Sequence, residues 1–214
     1  MTGVLQFPYN GTGPLRYGEN RCYVNTIKVA AFWAGSLFWA STAIAQQRAI
    51  DTGKSVMTVQ VYRAGLLSGL GHDHQISAPV ASGTVDTASH RVELHTNARL
   101  MRVVDPGISD KDRGEIQSNM LGPEVLDAEH FPEIVFQSTS VAANGPDVSR
   151  VIGNLTLHGQ TRPVTVEVKE AAGHYTGTSR LKQSDFGIKP IKVAGGAIRV
   201  KDEIRIEFDI QLAR

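Results

Sequence analysis

Residues 151–169 read VIGNLTLHGQTRPVTVEVK, and this stretch decides the fold class. Its apolar side chains occupy alternate positions of two arms: Val151, Leu155 and Leu157, then Val164, Val166 and Val168. The arms are separated by a turn that contains Gly159 and Pro163. A period of two is typical of a strand with one buried and one exposed face, so the stretch predicts a β-hairpin.

The same alternation returns near the C-terminus, where residues 203–212 place a charged or polar residue before each of Ile204, Ile206, Phe208, Ile210 and Leu212. Strand patterns also occur in earlier segments: 56–62, 76–86, 91–98, 133–138, 174–182 and 197–201. About eight strands in an all-β chain are most economically arranged as a closed barrel, because closure removes exposed sheet edges. We therefore predict a single antiparallel eight-stranded barrel.

A short helical excursion interrupts the strands after Asp105-Pro106-Gly107. Capping and helix-favouring residues follow it, so residues 110–121 are predicted to be helical. A shorter helix is predicted over 124–129, between two prolines. Asp105, Asp112 and Arg113 are expected to cap and orient the first helix.

Three features together resemble the YceI family of polyisoprenoid-binding, lipocalin-like barrels. They are V-x-G-x-L-x-L-H-G-x-x-x-P-V at 151–164, S-D-F-G-I at 184–188 and the alternating terminal strand. The resemblance covers roughly Ser55 to Leu212. It implies a lipocalin-like barrel that encloses a long isoprenoid tail.

The N-terminal region has the pattern of a secretory signal peptide. Arg21 and Lys28 precede a charge-free run from Val29 to Ala45, which ends in Ala43-Ile44-Ala45. This order predicts cleavage after Ala45 and export to the periplasm. The alternative is an uncleaved membrane anchor, but small polar residues follow the run instead of a stop-transfer cluster.

Cleavage would divide the chain into an N-terminal extension with its signal peptide, residues 1–45, and one barrel domain, residues 46–214. The second part would have 169 residues, enough for one domain with a proper core. It would carry 19 basic and 20 acidic side chains and no cysteine. This balance argues against nucleic acid as a partner, and no charge cluster indicates a macromolecular partner.

A barrel of eight strands is either filled by side chains or holds one slender ligand. Small residues at inward positions, Gly153, Gly177 and Ser179, favour space inside. The residues predicted to line that space are Phe136, Leu155, Leu157, Val166, Phe186, Ile206 and Phe208.

The segment Gly71-His72-Asp73-His74 places two histidines on one side of an extended backbone. Three interpretations are open: hydrogen bonds that hold a bent glycine loop, contact with a ligand head group, or ligation of a metal. A zinc site would lack ligands, because such sites normally use three or four protein side chains. We place His72 and His74 near the polar end of the ligand and predict no metal and no cofactor.

No nucleophile elbow, cysteine or H-E-x-x-H motif occurs after residue 45, so we predict no enzymatic activity. The sequence predicts an exported barrel protein that sequesters a long apolar ligand, and the resemblance to the YceI family implies that this ligand is an isoprenoid lipid or a quinone-like molecule. Two alternatives are a metal-dependent enzyme or carrier that uses His72 and His74, and a structural or stress protein with a filled barrel.

Overall fold

The computed structural model describes residues 47–65, 69 and 73–213. Twelve strands and one α-helix form the main regular structure of these residues. The strands are β1 (Gln47–Ala49), β2 (Val56–Ala64), β3 (His74–Ser77), β4 (Val80–Asp86), β5 (Arg91–Asn97), β6 (Arg102–Val103), β7 (Glu133–Ala143), β8 (Val148–Leu157), β9 (Gln160–Ala171), β10 (His174–Lys182), β11 (Lys192–Val193) and β12 (Ile198–Gln211). The helix is α1 (Asp110–Leu121), and short 3-10 turns span Ala98–Leu100, Gln183–Phe186 and Ala194–Gly196.

The strands form one antiparallel sheet in the order β1-β4-β5-β7-β8-β9-β10-β12-β2-β3-β6. The sheet curls because β3 and β4, which follow each other in the chain, lie near opposite ends of this strand order. β3 pairs with β2 and β4 pairs with β5, so the short connection between them brings the two ends of the sheet together. Two short strands complete this junction. β6 pairs with β3, and β1 pairs with β4. Ile50, which directly follows β1, forms an isolated bridge with Leu212, the residue after β12. The predicted antiparallel barrel fold is confirmed.

The strand count differs from the predicted eight. Three of the twelve strands, β1, β6 and β11, have only two or three residues, and the predicted strand 76–86 is divided into β3 and β4. The division falls at Ala78 and Pro79, because proline has no N–H to donate to a sheet ladder. The two predicted C-terminal strands are instead one strand, β12, with a register shift between Val200 and Ile204.

Helix α1 has the predicted bounds, 110–121, and begins with a side-chain cap. The Ser109 hydroxyl accepts a hydrogen bond from the Asp112 N–H at 3.1 Å and donates one to the Asp112 carboxylate at 2.8 Å. None of the helices in the described residues is long and apolar enough to cross a membrane.

The predicted helix over 124–129 is wrong, since this segment forms a series of turns. Asp127 has a φ of 43°, which ends any right-handed helix there, and its N–H binds the carbonyl of Gly122 at 2.8 Å. A helix of six residues, 124–129, is also too short to offset the cost of helix nucleation.

The barrel has two distinct ends. At the hairpin end, tight turns connect β4 to β5, β7 to β8 and β9 to β10. At the helix end, α1 contacts β6, and the turn from β8 to β9 lies at the same end. The larger apolar core includes α1 residues such as Met120, and a smaller cluster around Ile50, Val80 and Ile210 involves strand residues near the hairpin end.

Candidate functional site

A cavity of about 640 Å³ lies inside the barrel. Its wall includes Ile116 and Met120 of α1 at the helix end and His90 and Tyr175 at the hairpin end, so the cavity extends along the barrel. This volume falls in the range of small-molecule pockets, about 300–1,000 Å³. Protein interiors normally contain few voids larger than a water molecule, so a space of this size is not a packing defect.

The exposure of inward-facing side chains shows where the barrel is hollow. On β8, Val151, Leu155 and Leu157 are buried. The inward residues of the next strand, Val164 and Val166, are only half-buried although they face the same interior. Cavity space therefore lies over β9 in particular. Other half-buried wall residues include Met57, Val61, Ile134, Phe136, Val168, Ile206 and Phe208.

His74 is a polar side chain of the cavity wall whose ring is held by a buried carboxylate. Its Nδ1–H donates to Oδ2 of Asp105 at 2.6 Å, and Oδ1 of Asp105 accepts a hydrogen bond from the N–H of Gln75 at 2.5 Å. The Asp105 side chain is only 2% exposed. Nδ1 of His74 is thus occupied, and Nε2 is the ring nitrogen that can contact a ligand.

Asp105 has a different role from the predicted one. It does not cap α1, since Ser109 and Asp112 form the cap. The Arg113 guanidinium instead donates to the backbone carbonyl of Asp105 at 2.9 Å and connects the helix to this segment. Asp105 and His74 are 31 residues apart in the sequence, so no local pattern could have paired them.

Other polar residues line the cavity near His74, among them Tyr62, Arg63 and Arg199. The backbone N–H of Arg63 donates to Asp73 at 2.9 Å, and its Nε lies 3.9 Å from the same carboxylate oxygen. The Nζ of Lys201 lies 5.7 Å from the centre of the Tyr62 ring. This end of the cavity therefore combines a histidine with cationic groups, which can hold a polar or anionic head group.

The hairpin end of the cavity has a smaller polar group. The Tyr175 hydroxyl donates to Oε1 of Glu170 at 3.2 Å, and both residues line the cavity. Burial raises the pKa of the Tyr175 phenol above its ordinary value, and the negative charge of Glu170 raises it further. Tyr175 is therefore neutral at physiological pH.

The structure brings together most of the residues predicted for the site. Those that lie in the cavity wall are His74, Phe136, Leu155, Leu157, Val166, Ile206 and Phe208. Phe186 lies elsewhere: it is 1% exposed and packs in the larger core, because a 3-10 turn carries it away from the wall. His72 lies outside the described residues. Sequence reasoning missed Asp105, Arg63 and Arg199 as site residues.

Within residues 47–65, 69 and 73–213, no group of three or more His, Cys, Asp or Glu side chains is arranged to hold a metal ion. His74 pairs with a single carboxylate in this region.

Comparison with known proteins identifies relatives of the chain. A UPF0312 protein of Vibrio parahaemolyticus is 34% identical over 116 residues, which are 49% of this chain and 59% of that protein. A UPF0312 protein of Pseudomonas savastanoi is 36% identical over 88 residues, 36% of this chain and 46% of that protein. The chain thus covers less than two thirds of each relative.

The crystal structure of Burkholderia cenocepacia BcnA shares the fold, with a TM-score of 0.55 and 20% sequence identity over 77% of this chain and 99% of that one. The family model described as a YceI-like domain matches residues 49–212, which include almost all of the described barrel. The chain therefore belongs to the family of YceI-like domain proteins.

Proposed function

We propose that this protein binds a long apolar molecule, an isoprenoid lipid or a quinone-like compound, inside its barrel. The cavity of about 640 Å³, which extends from α1 to the hairpin end, carries this proposal. Its shape suits an extended chain, and its wall is mainly aliphatic and aromatic. Burial of apolar surface contributes about 25 cal/mol per Å², so a chain that leaves water for this space gains several kcal/mol. The role requires no catalytic step.

The polar groups indicate how such a ligand would be oriented. His74, Arg63 and Arg199 line the helix end of the cavity, and the His74 ring is held by the buried Asp105. We place the head group there and the tail along the half-buried inner face of β9. Asp105 acts as a positioning residue, because it holds the imidazole without lining the cavity itself.

Organic extraction and mass spectrometry of the purified protein test the proposal. The wild type and Thr165→Trp, a variant of the outer face of β9, are expected to carry a stoichiometric isoprenoid lipid or quinone. Val166→Trp should lack it, because the indole would fill the cavity from the inner face of the same strand. Equal lipid content in both tryptophan variants, or no lipid and no binding of added geranylgeraniol in the wild type, would contradict the proposal.

His74→Ala tests the head-group contact. It should weaken retention of the lipid by about 1–3 kcal/mol, the usual effect of removing a hydrogen bond to a buried polar group, while tail burial persists. Elemental analysis of the same preparations tests the alternative of a metal centre at His72 and His74. Stoichiometric metal that disappears in His74→Ala would favour that alternative.

We also propose that the protein acts in the periplasm. The support is the order of basic residues, apolar run and Ala43-Ile44-Ala45 in the N-terminal region. An exported carrier would meet isoprenoid lipids at the membrane surface.

A further inference from the structure

Two inward-facing glycines lie directly beneath phenylalanine rings from neighbouring strands. A Cβ built on Gly153 of β8 would lie 2.5 Å from ring atoms of Phe136 of β7, and one built on Gly177 of β10 would lie 2.6 Å from the ring of Phe208 of β12. Such distances are far below van der Waals contact, so each ring occupies the volume that any larger residue would need.

The glycines therefore let both rings lie against the wall instead of across the cavity. Each ring leans towards β9 from one side, since β8 and β10 are the two neighbours of β9 in the sheet. Between them, Val164, Val166 and Val168 present short, half-buried side chains to the interior. The result is a shallow groove along β9 that is bordered by two aromatic rings.

We propose that the pairs Phe136–Gly153 and Phe208–Gly177 determine the width of the bound chain, and that the groove between them accepts a methyl-branched chain. The proposal rests on the proposed function and specifies it. Methyl branches project sideways from a chain at regular intervals, so they need a channel wider than an unbranched chain does. A ring displaced from its glycine would narrow the groove at that level and exclude the branches first.

Gly→Ala variants are poor tests, because a Cβ on either glycine would also clash with a backbone oxygen, that of Gln137 for Gly153 and that of Glu167 for Gly177. The experiment therefore changes the rings. Phe136→Trp and Phe208→Trp leave the glycines intact but add an indole that exceeds the space above them. Binding of two alcohols is measured: hexahydrofarnesol and n-dodecanol, which have the same main-chain length with and without methyl branches.

The wild type should bind both alcohols. Each tryptophan variant should lose at least about tenfold in affinity for hexahydrofarnesol, the lower end of the effect of one methylene in an apolar pocket, and less for n-dodecanol. Equal losses, or none, in variants that keep the wild-type melting temperature would overturn the proposal. A wild type that binds neither alcohol would contradict the proposed function itself.

If the tryptophan variants do not fold, Phe136→Leu and Phe208→Leu test whether the two rings determine the width of the groove. Removing a ring widens the groove, so these variants should bind retinol, whose terminal ring is wider than a methyl branch, at least about tenfold more tightly than the wild type. Unchanged retinol affinity in both leucine variants would overturn the proposal.

Discussion

Single residues on the two faces of the β8–β9 hairpin have opposite environments. Leu157 is buried among the residues of the larger core, whereas Thr165, on the paired strand β9, is exposed on the outside. The difference follows from the period of two along each strand, which assigns successive side chains to opposite faces.

Leu157→Asp should destabilise the protein by several kcal/mol, because it buries a carboxylate with no partner. Thr165→Asp introduces the same side chain on the outer face and should change the free energy of unfolding by much less. Urea denaturation of both variants provides the measurement. Similar midpoints would show that the inward phase of the hairpin has been assigned incorrectly.

A second residue-level prediction concerns Tyr175. Its pKa is raised by burial and by Glu170, so the folded state holds the phenolic proton more tightly than the unfolded chain does. The associated stability is fully present below the unfolded pKa of about 10 and is lost as the pH rises through the folded value.

Glu170→Gln removes the negative charge and should lower the pKa of Tyr175 towards its ordinary value. Residues 46–214 contain only two tyrosines, Tyr62 and Tyr175, so ultraviolet titration with Tyr175→Phe as the reference isolates this phenol. Glu167→Gln serves as the control, because Glu167 lies on β9, the strand of Glu170, but on its outer face. A Tyr175 titration that is the same in both Gln variants would exclude Glu170 as a cause of the shift.

At the scale of elements, α1 contributes Ile116 and Met120 to the cavity wall, so its stability and the shape of the helix end are connected. The helix begins at a reciprocal contact between Ser109 and Asp112, and Arg113 attaches its first turn to the carbonyl of Asp105. The Asp105 carboxylate in turn holds His74. The start of the helix and the head-group region thus share one hydrogen-bonded segment.

Ser109→Ala removes the N-cap of α1 and should cost about 1 kcal/mol of stability. Ser109→Asp keeps a capping oxygen and should restore most of the loss. Thermal unfolding compares the three proteins, and hydrogen exchange of the amides in the first turn shows whether the loss is local. An alanine variant as stable as the wild type would mean that the cap contributes nothing measurable.

At the scale of the whole molecule, the barrel is closed by small pieces of chain rather than by eight uniform strands. β6 pairs with β3 and β1 pairs with β4, so each half of the interrupted strand has a second neighbour in addition to β2 or β5. Their pairing satisfies backbone groups that would otherwise form exposed edges. This closure encloses the cavity on which the proposed function depends.

The processed protein should begin at Gln46, because Ala43 and Ala45 supply the small residues that signal peptidase requires. The intact mass of the protein isolated from the periplasm of its host identifies the N-terminal residue. Ala45→Tyr, which places a bulky residue next to the cleavage site, should accumulate the uncleaved precursor. Mature protein that still contains Cys22 would contradict the prediction.

The sequence by itself determined the barrel class, the inward phase of its strands and the bounds of α1. These features depend on residues close together in the chain. The alternation in residues 151–169, for example, indicates that one face of each strand is buried, and it does so without identifying what packs against that face. Helix 110–121 was predictable for the same reason, since its cap and apolar positions lie within one segment.

Tertiary structure alone decided how the interior is used. Gly153 and Gly177 indicated space from sequence, but only the fold showed that Phe136 and Phe208 occupy the positions above them and leave the open groove along β9. The pairing of His74 with Asp105 likewise joins residues that are distant in the chain. The physical reason is that the volume of a cavity and the partner of a buried charge depend on which strands and loops come together in space, and no local period records this.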